Sequence, residues 1–129
     1  CGGLPQGVIV EALLSPPERS PDKDGAVILA TLEDYHRKRV ATQDLRYPSA
    51  GCVFRNPQGP SAAAAGRLIE EAGLKGERAG GAMVSDKHAN YIVNTGGATA
   101  ADVKELIRRI QEGVMRQHGV MLETEIVIL

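Results

Sequence analysis

The feature that most constrains the fold is the helix signature over residues 99–118. Thr99 and Asp102 stand in a capping-box pattern, and Val103, Leu106, Ile107, Ile110 and Val114 recur at helical spacing before His118 and Gly119 end the run. A single apolar stripe needs a second layer to cover it. Short runs of strand formers supply that layer: Ala82-Met83-Val84-Ser85, Tyr91-Ile92-Val93-Asn94 and Met121-Leu122-Glu123-Thr124-Glu125-Ile126-Val127-Ile128-Leu129. In the last of these, period two puts Leu122, Ile126 and Ile128 on one face. Glu123 and Glu125 share the other face with Val127 and Leu129.

Two further helices are expected. Residues 26–40 carry Ile28, Leu32, Tyr35 and Arg39 at spacings of three and four. A second helix runs from a Ser61 cap through Ala72, with Ala65, Leu68, Ile69 and Ala72 as its stripe and Gly73 as a left-handed stop. Between the helices, residues 74–81 read as a loop. Its Gly80-Gly81 pair is not a phosphate loop, because no Gly-Lys-Ser/Thr follows. The expectation is an α+β fold: one two-layer domain of three helices packed on a small mixed β-sheet. At 129 residues such a domain buries roughly two-thirds of its unfolded surface.

Residues 15–25 are rich in proline and charge and read as a linker, which divides the chain into residues 1–25 and 26–129. Gly7-Val8-Ile9-Val10-Glu11-Ala12-Leu13-Leu14 reads as a strand with no hairpin partner nearby. The chain opens on Cys1-Gly2-Gly3 and its first methionine is Met83. The expectation is a piece of a longer protein, with that strand belonging to a preceding domain.

With 15 basic and 16 acidic side chains, the formal charge of −1 argues against nucleic-acid or polybasic membrane partners. No apolar run approaches the roughly 20 residues of a membrane span, and the N-terminus has no basic-then-apolar signal pattern. Cys1 and Cys52 are too few for a disulfide framework, and no Cys/His cluster has zinc spacing, so no metal is expected. A reducing cytoplasmic setting is the simplest account.

Candidate chemistry gathers around Tyr47-Pro48-Ser49-Ala50-Gly51-Cys52-Val53-Phe54-Arg55-Asn56-Pro57, a turn, a short apolar strand centred on Val53 and Phe54, and a second turn. Cys52 sits at the lip of that strand beside Gly51, where a ligand can approach the backbone. By spacing it is either a structural cysteine or a reactive thiol. The run His36-Arg37-Lys38-Arg39 is either a solvated helix end or an anion site. His88 has no second histidine at ligand spacing and reads as a hydrogen-bonding loop residue. Glu123 and Glu125 are either edge charges or one tuned acid.

Taken together, several motifs resemble the C-terminal substrate domain of UDP-N-acetylenolpyruvoylglucosamine reductase. They are the Tyr47–Pro57 stretch quoted above, Ala65-Gly66-Arg67-Leu68-Ile69-Glu70-Glu71-Ala72-Gly73-Leu74-Lys75-Gly76, residues 80–94, Ala98-Thr99-Ala100-Ala101-Asp102-Val103 and Leu122-Glu123-Thr124-Glu125-Ile126. The resemblance runs from about residue 33 to the end, and residues 7–16 resemble the final strand of the family's flavin domain. It implies a cytoplasmic flavoenzyme of peptidoglycan synthesis, and so of cell-wall biogenesis, cell shape and division. FAD takes a hydride from NADPH and passes it to UDP-N-acetylglucosamine enolpyruvate, giving UDP-N-acetylmuramate.

The resemblance also implies roles for single residues. The family's proton donor to C2 is the serine of an Ala-Gly-Ser-Val-Phe motif, and here that position is Cys52. A thiol with an ordinary pKa of about 8.5 is protonated at neutral pH and can donate. Glu125 matches the second carboxylate of a Leu-Glu-Pro-Glu-Val pattern and would stabilise or protonate the enol, with Glu123 as a scaffold charge. Asn56 and Lys75 match substrate-binding positions, His88 stands where other members place glutamine, and Arg39 and Gln43 align with diphosphate contacts. At Val127 many members carry arginine. Neither a Gly-x-Gly-Ser-Asn flavin loop nor a Tyr-Arg-x-Ser segment occurs in the sequence, so FAD would be held mainly by the chain's own N-terminal flavin domain, and this chain alone is expected to be inactive. The alternatives are a non-catalytic UDP-sugar binding module and a structural domain.

Overall fold

The computed structural model describes residue 13 and residues 25–59 and 63–128. The strand expected over residues 7–14 and the linker ahead of residue 25 lie outside the described residues, apart from Leu13 itself, and the helix expected from a Ser61 cap starts instead at Ala65, with Ala64 as its N-cap residue. The chain forms two compact units, Cys1–Asp34 and Tyr35–Leu129. Of the first, the start of helix α1 (Gly25–Thr42) is described, with the Thr31 hydroxyl donating back to the Val27 carbonyl at 2.8 Å. This helix forms where its spacing predicts, but none of its residues is buried, and Ile28, Leu32 and Tyr35 are all exposed.

The second unit is the two-layer α+β domain expected. Four strands, β1 (Ser49–Cys52), β2 (Arg78–Ala79), β3 (Ala82–Val84) and β4 (Tyr91–Asn94), form one sheet in the order β1-β4-β3-β2. Helices α2 (Ala65–Glu71) and α3 (Ala100–His118) make the second layer, packing on each other, with α3 also against β2 and β3. Phe54, Ile69, Val84, Leu106, Ile110, Val114 and Leu122 are fully buried where the layers meet. The α3 stripe read from sequence is therefore the core face. Its capping box is also formed: Thr99 Oγ1 accepts from the Asp102 amide at 3.2 Å, and Asp102 Oδ2 accepts from the Thr99 amide at 2.9 Å.

Several local expectations differ from the structure. The sheet is antiparallel throughout, not mixed. The connections β2–β3 and β3–β4 are too short for the crossover that parallel pairing needs. Strand β1 lies at Ser49–Cys52, ahead of Val53, because Gly51 (φ 84°) puts a bulge into its pairing with β4. Finally, among its described residues the C-terminal segment makes a single bridge, Thr124 opposite Phe54. There the Glu125 amide donates to the Val53 carbonyl at 2.8 Å and the Arg55 amide to the Glu123 carbonyl at 2.9 Å.

The supposed loop at Gly80-Gly81 is a two-residue hairpin turn between β2 and β3, with Gly80 at φ 51° as primed hairpin turns require. Gly81 is pinned from both sides. Its amide donates to Asp102 Oδ2 at 3.4 Å, and its carbonyl accepts from the Thr95 amide and hydroxyl, both at 2.9 Å. A Cβ at Gly81 would collide with the Gly96 carbonyl and the Ala98 amide, both backbone groups. Gly81→Ala is expected to destabilise the domain by about 3 kcal/mol in urea unfolding, with an unchanged m-value.

Candidate functional site

The site is assembled by side chains that stand in for missing strand pairing. Beyond Cys52 the chain leaves β4, and the buried Asn90 side chain takes up the ladder. The Phe54 amide donates to Asn90 Oδ1 at 2.9 Å, and Asn90 Nδ2 donates to the Phe54 carbonyl at 2.8 Å. The Val53 amide donates to the Asn90 carbonyl at 2.9 Å. On the other side of the same residues runs the segment carrying Glu125. Cys52 and Glu125 are thus brought together by pairing across distant parts of the sequence. A few residues on, Asn56 turns back to cap α2, its Oδ1 accepting from the Ala65 amide at 2.9 Å.

The connector between β3 and β4 is organised by Ser85 and Asp44, both buried. Ser85 Oγ accepts from the amides of Lys87 and His88 at 3.2 and 3.4 Å and donates to Asp44 Oδ2 at 3.2 Å. Asp44 is held in turn by a two-pronged contact from Arg46, at 2.9 Å on each oxygen. This fixes the loop that carries Lys87 and His88. The Asn90 amide donates to His88 Nδ1 at 3.3 Å, which leaves Nε2 to carry the proton of the neutral ring.

These elements enclose an open cleft of about 350 Å³. Cys52, Asn56, His88 and Glu125 all line it, with Arg67 and Glu70 from α2 and Lys87, Ala89 and Asn90 from the connector. Cys52 is a free, half-buried thiol. Burial pushes its pKa up, the Glu125 carboxylate pushes it further, and hydrogen bonding with Tyr91 and Asn90 pulls it part of the way back. The net direction keeps the proton on sulfur at neutral pH. Such a cleft can offer an acidic S–H beside a carboxylate, with cations and amide donors around it for an anionic ligand.

Four of the seven site residues read from the sequence therefore share one cleft, and three do not line it. Lys75 stands one ion pair behind the wall, with its Nζ 2.7 Å from Glu70 Oε1. Arg39 and Gln43 pair with each other at the end of α1, at 3.1 Å. Val127 is exposed. Sequence reasoning missed Arg67, Lys87 and Asn90. Only Asn90 left a signal, as a polar residue directly ahead of an apolar strand. Among the described residues, no group of three or more His, Cys, Asp or Glu is gathered as a metal site, and no helix is long and apolar enough to cross a membrane.

The Asp44 network carries a pH dependence. The Arg46 guanidinium hydrogen-bonds Asp44 and holds its carboxyl well below the usual carboxylate range, against the opposing effect of burial. A depressed folded-state pKa contributes stability that is present above the unfolded value of about 3.9 and is lost as pH falls below it. The melting temperature should therefore drop as pH is lowered from 5 to 2. Asp44→Asn should flatten part of that drop and cost about 2 kcal/mol at pH 7. Thermal unfolding followed across pH for both proteins checks this.

Fold and cleft together define a two-layer α+β domain with an open, charge-lined cleft beside a free thiol. Residues 43–129 match the family described as UDP-N-acetylenolpyruvoylglucosamine reductase, C-terminal domain, and the chain belongs to this family. It is 53% identical over 105 residues to UDP-N-acetylenolpyruvoylglucosamine reductase 2 of Symbiobacterium thermophilum, covering 81% of this chain and 33% of that protein. To the UDP-N-acetylenolpyruvoylglucosamine reductase of Geobacter metallireducens it is 46% identical over 125 residues, covering 97% of this chain and 39% of the other. The crystal structure of the Thermus caldophilus UDP-N-acetylenolpyruvylglucosamine reductase superposes with a TM-score of 0.60 at 46% identity. That superposition covers 78% of this chain and 34% of the other. The chain thus spans about a third of the length of the curated relatives it matches.

Proposed function

We propose that this chain is the substrate-binding part of a reductase that converts UDP-N-acetylglucosamine enolpyruvate to UDP-N-acetylmuramate, and that Cys52 is its proton donor. The observation that carries this reading is the convergence of Cys52 and Glu125 on one cleft with Asn56 and His88. Once C3 of the enolpyruvyl group has taken a hydride, C2 has carbanion character and must be protonated. The Sγ–H bond of Cys52 breaks, a C–H bond forms at C2, and a thiolate remains. Glu125 acts as a carboxylate: its charge keeps the thiol protonated, and by accepting a hydrogen bond from the enol hydroxyl it stabilises the enol.

Substrate anions meet the Lys87 ammonium, the Arg67 guanidinium and the His88 Nε2–H. Asn56 has committed its oxygen to Ala65 and offers its Nδ2. Lys75 joins them by exchanging Glu70 for the substrate, and Arg39 with Gln43 contacts the nucleotide portion. Membership of the family also implies FAD, NADPH as the reductant, a cytoplasmic setting and a role in cell-wall synthesis. The described residues offer no cradle for the flavin's phosphates. Both described glycine pairs have turn amides already taken: the Gly81 amide donates to the Asp102 carboxylate, and the Gly96 and Ala98 amides donate to Asn94 Oδ1. FAD would be held by the flavin domain of the full-length protein.

The test is a single turnover of the full-length protein. Reduced enzyme mixed with the enolpyruvyl substrate should be reoxidised with formation of UDP-N-acetylmuramate. Tight substrate binding without reoxidation would overturn the assignment in favour of a non-catalytic UDP-sugar module.

A further inference from the structure

The group opposite the thiol is a tyrosine. Cys52 and Tyr91 are register partners across β1 and β4. Partners of this kind project from the same face, with their Cβ atoms about 5 Å apart. The Tyr91 ring is braced by His88, with centroids 4.5 Å apart and planes tilted by 39°, and His88 itself lines the cleft. Tyrosine is the one strand residue here that pairs a rigid ring with a hydroxyl. We propose that Tyr91 is the positioning residue of the thiol: its hydroxyl hydrogen-bonds Cys52 Sγ and donates to the thiolate left when the proton has gone to the substrate. The inference rests on the proton-donor reading of Cys52. No bond to Tyr91 is made or broken, and the thiolate is reprotonated by water.

The two groups perturb each other in the sense this requires. Burial raises the Tyr91 phenol, with Cys52 as the next cause, and Tyr91 is the first of the hydrogen-bonding partners that lower the thiol. The other hydrogen-bonding neighbour, Asn90, is tied at both ends of its side chain to Phe54. Glu125 on the closing segment acts on the thiol in the opposite direction, and Arg39 on α1 favours the ionised phenol. Lys87, His88, Arg67 and Glu70 are the remaining titratable groups around the cleft.

The experiment is alkylation of Cys52 by iodoacetamide as a function of pH, in the whole chain with Cys1→Ser as background. Tyr91→Phe keeps the ring against His88 and removes only the hydroxyl. The ionisation midpoint of Cys52 should move up, with alkylation at pH 8 about five-fold slower. An unchanged or faster rate overturns the proposal. Reciprocally, Cys52→Ala should lower the ionisation midpoint of the Tyr91 phenol followed by NMR, and an unmoved midpoint overturns the coupling. Both readings are taken without substrate or turnover. A failure here is therefore distinct from a failure of Cys52 as donor, which the turnover of Cys52 variants tests separately.

Discussion

Cys52→Ala in the full-length protein is expected to lower the rate at which the enolpyruvyl substrate reoxidises the reduced flavin by about 10³-fold, with substrate affinity changed by less than about three-fold. The reason is chemical: alanine has no proton to give at that position. Cys52→Ser restores a large part of the rate, because a hydroxyl stands in the same place with the same proton. The pH profile supplies a second signature. A thiol whose pKa is raised by burial and by Glu125 remains an acid through neutrality. Dependence on Cys52 is therefore flat from pH 6 to 8 and declines only above the ordinary thiol value of about 8.5. Stopped-flow reoxidation across pH, wild type against both variants, reads all of this. Reoxidation of Cys52→Ala at the wild-type rate would place the proton elsewhere.

Glu125→Gln is expected to change two observables in opposite directions. Reoxidation falls by about 10²-fold, because the enol loses the carboxylate that stabilises it. Alkylation of Cys52 becomes faster, because the neighbouring negative charge that holds the thiol's proton in place has gone. At pH 8 the gain should be several-fold. A purely structural role for Glu125 moves neither quantity in this pattern, since its fold-bearing contact is the backbone bond to Val53, which glutamine keeps. Slower turnover together with unchanged alkylation would separate the carboxylate from the thiol.

What the sequence revealed and what it hid divide along the range of the interactions. Helix α3 was legible down to its cap because its stripe, its capping box and its glycine stop all lie within one stretch of chain. The periodicity of α1 also predicted a helix correctly, yet its apolar face remains exposed, since periodicity says nothing about whether a partner layer is there. The β2–β3 hairpin passed for a loop because two residues of strand on one side of Gly80-Gly81 leave no alternation to detect. Spacing left Cys52 and Glu125 as loose candidates, and only the family motifs linked them. Their shared cleft depends on the long-range pairing of residues 53–55 with residues 123–125. Asn90, Lys87 and Tyr91 escaped for the same reason. Each acts through a neighbour that becomes one only after the sheet closes.

The most direct measurement is a crystal structure of the full-length protein with the enolpyruvyl substrate bound. The account predicts C2 of the enolpyruvyl group within about 3.5 Å of Cys52 Sγ, with the Glu125 carboxyl on the same cleft and the diphosphate toward Lys87 and Arg67. A substrate seated elsewhere, for example in the apolar groove beside Pro48, Ile92 and Val103, with the thiol facing solvent, would contradict it.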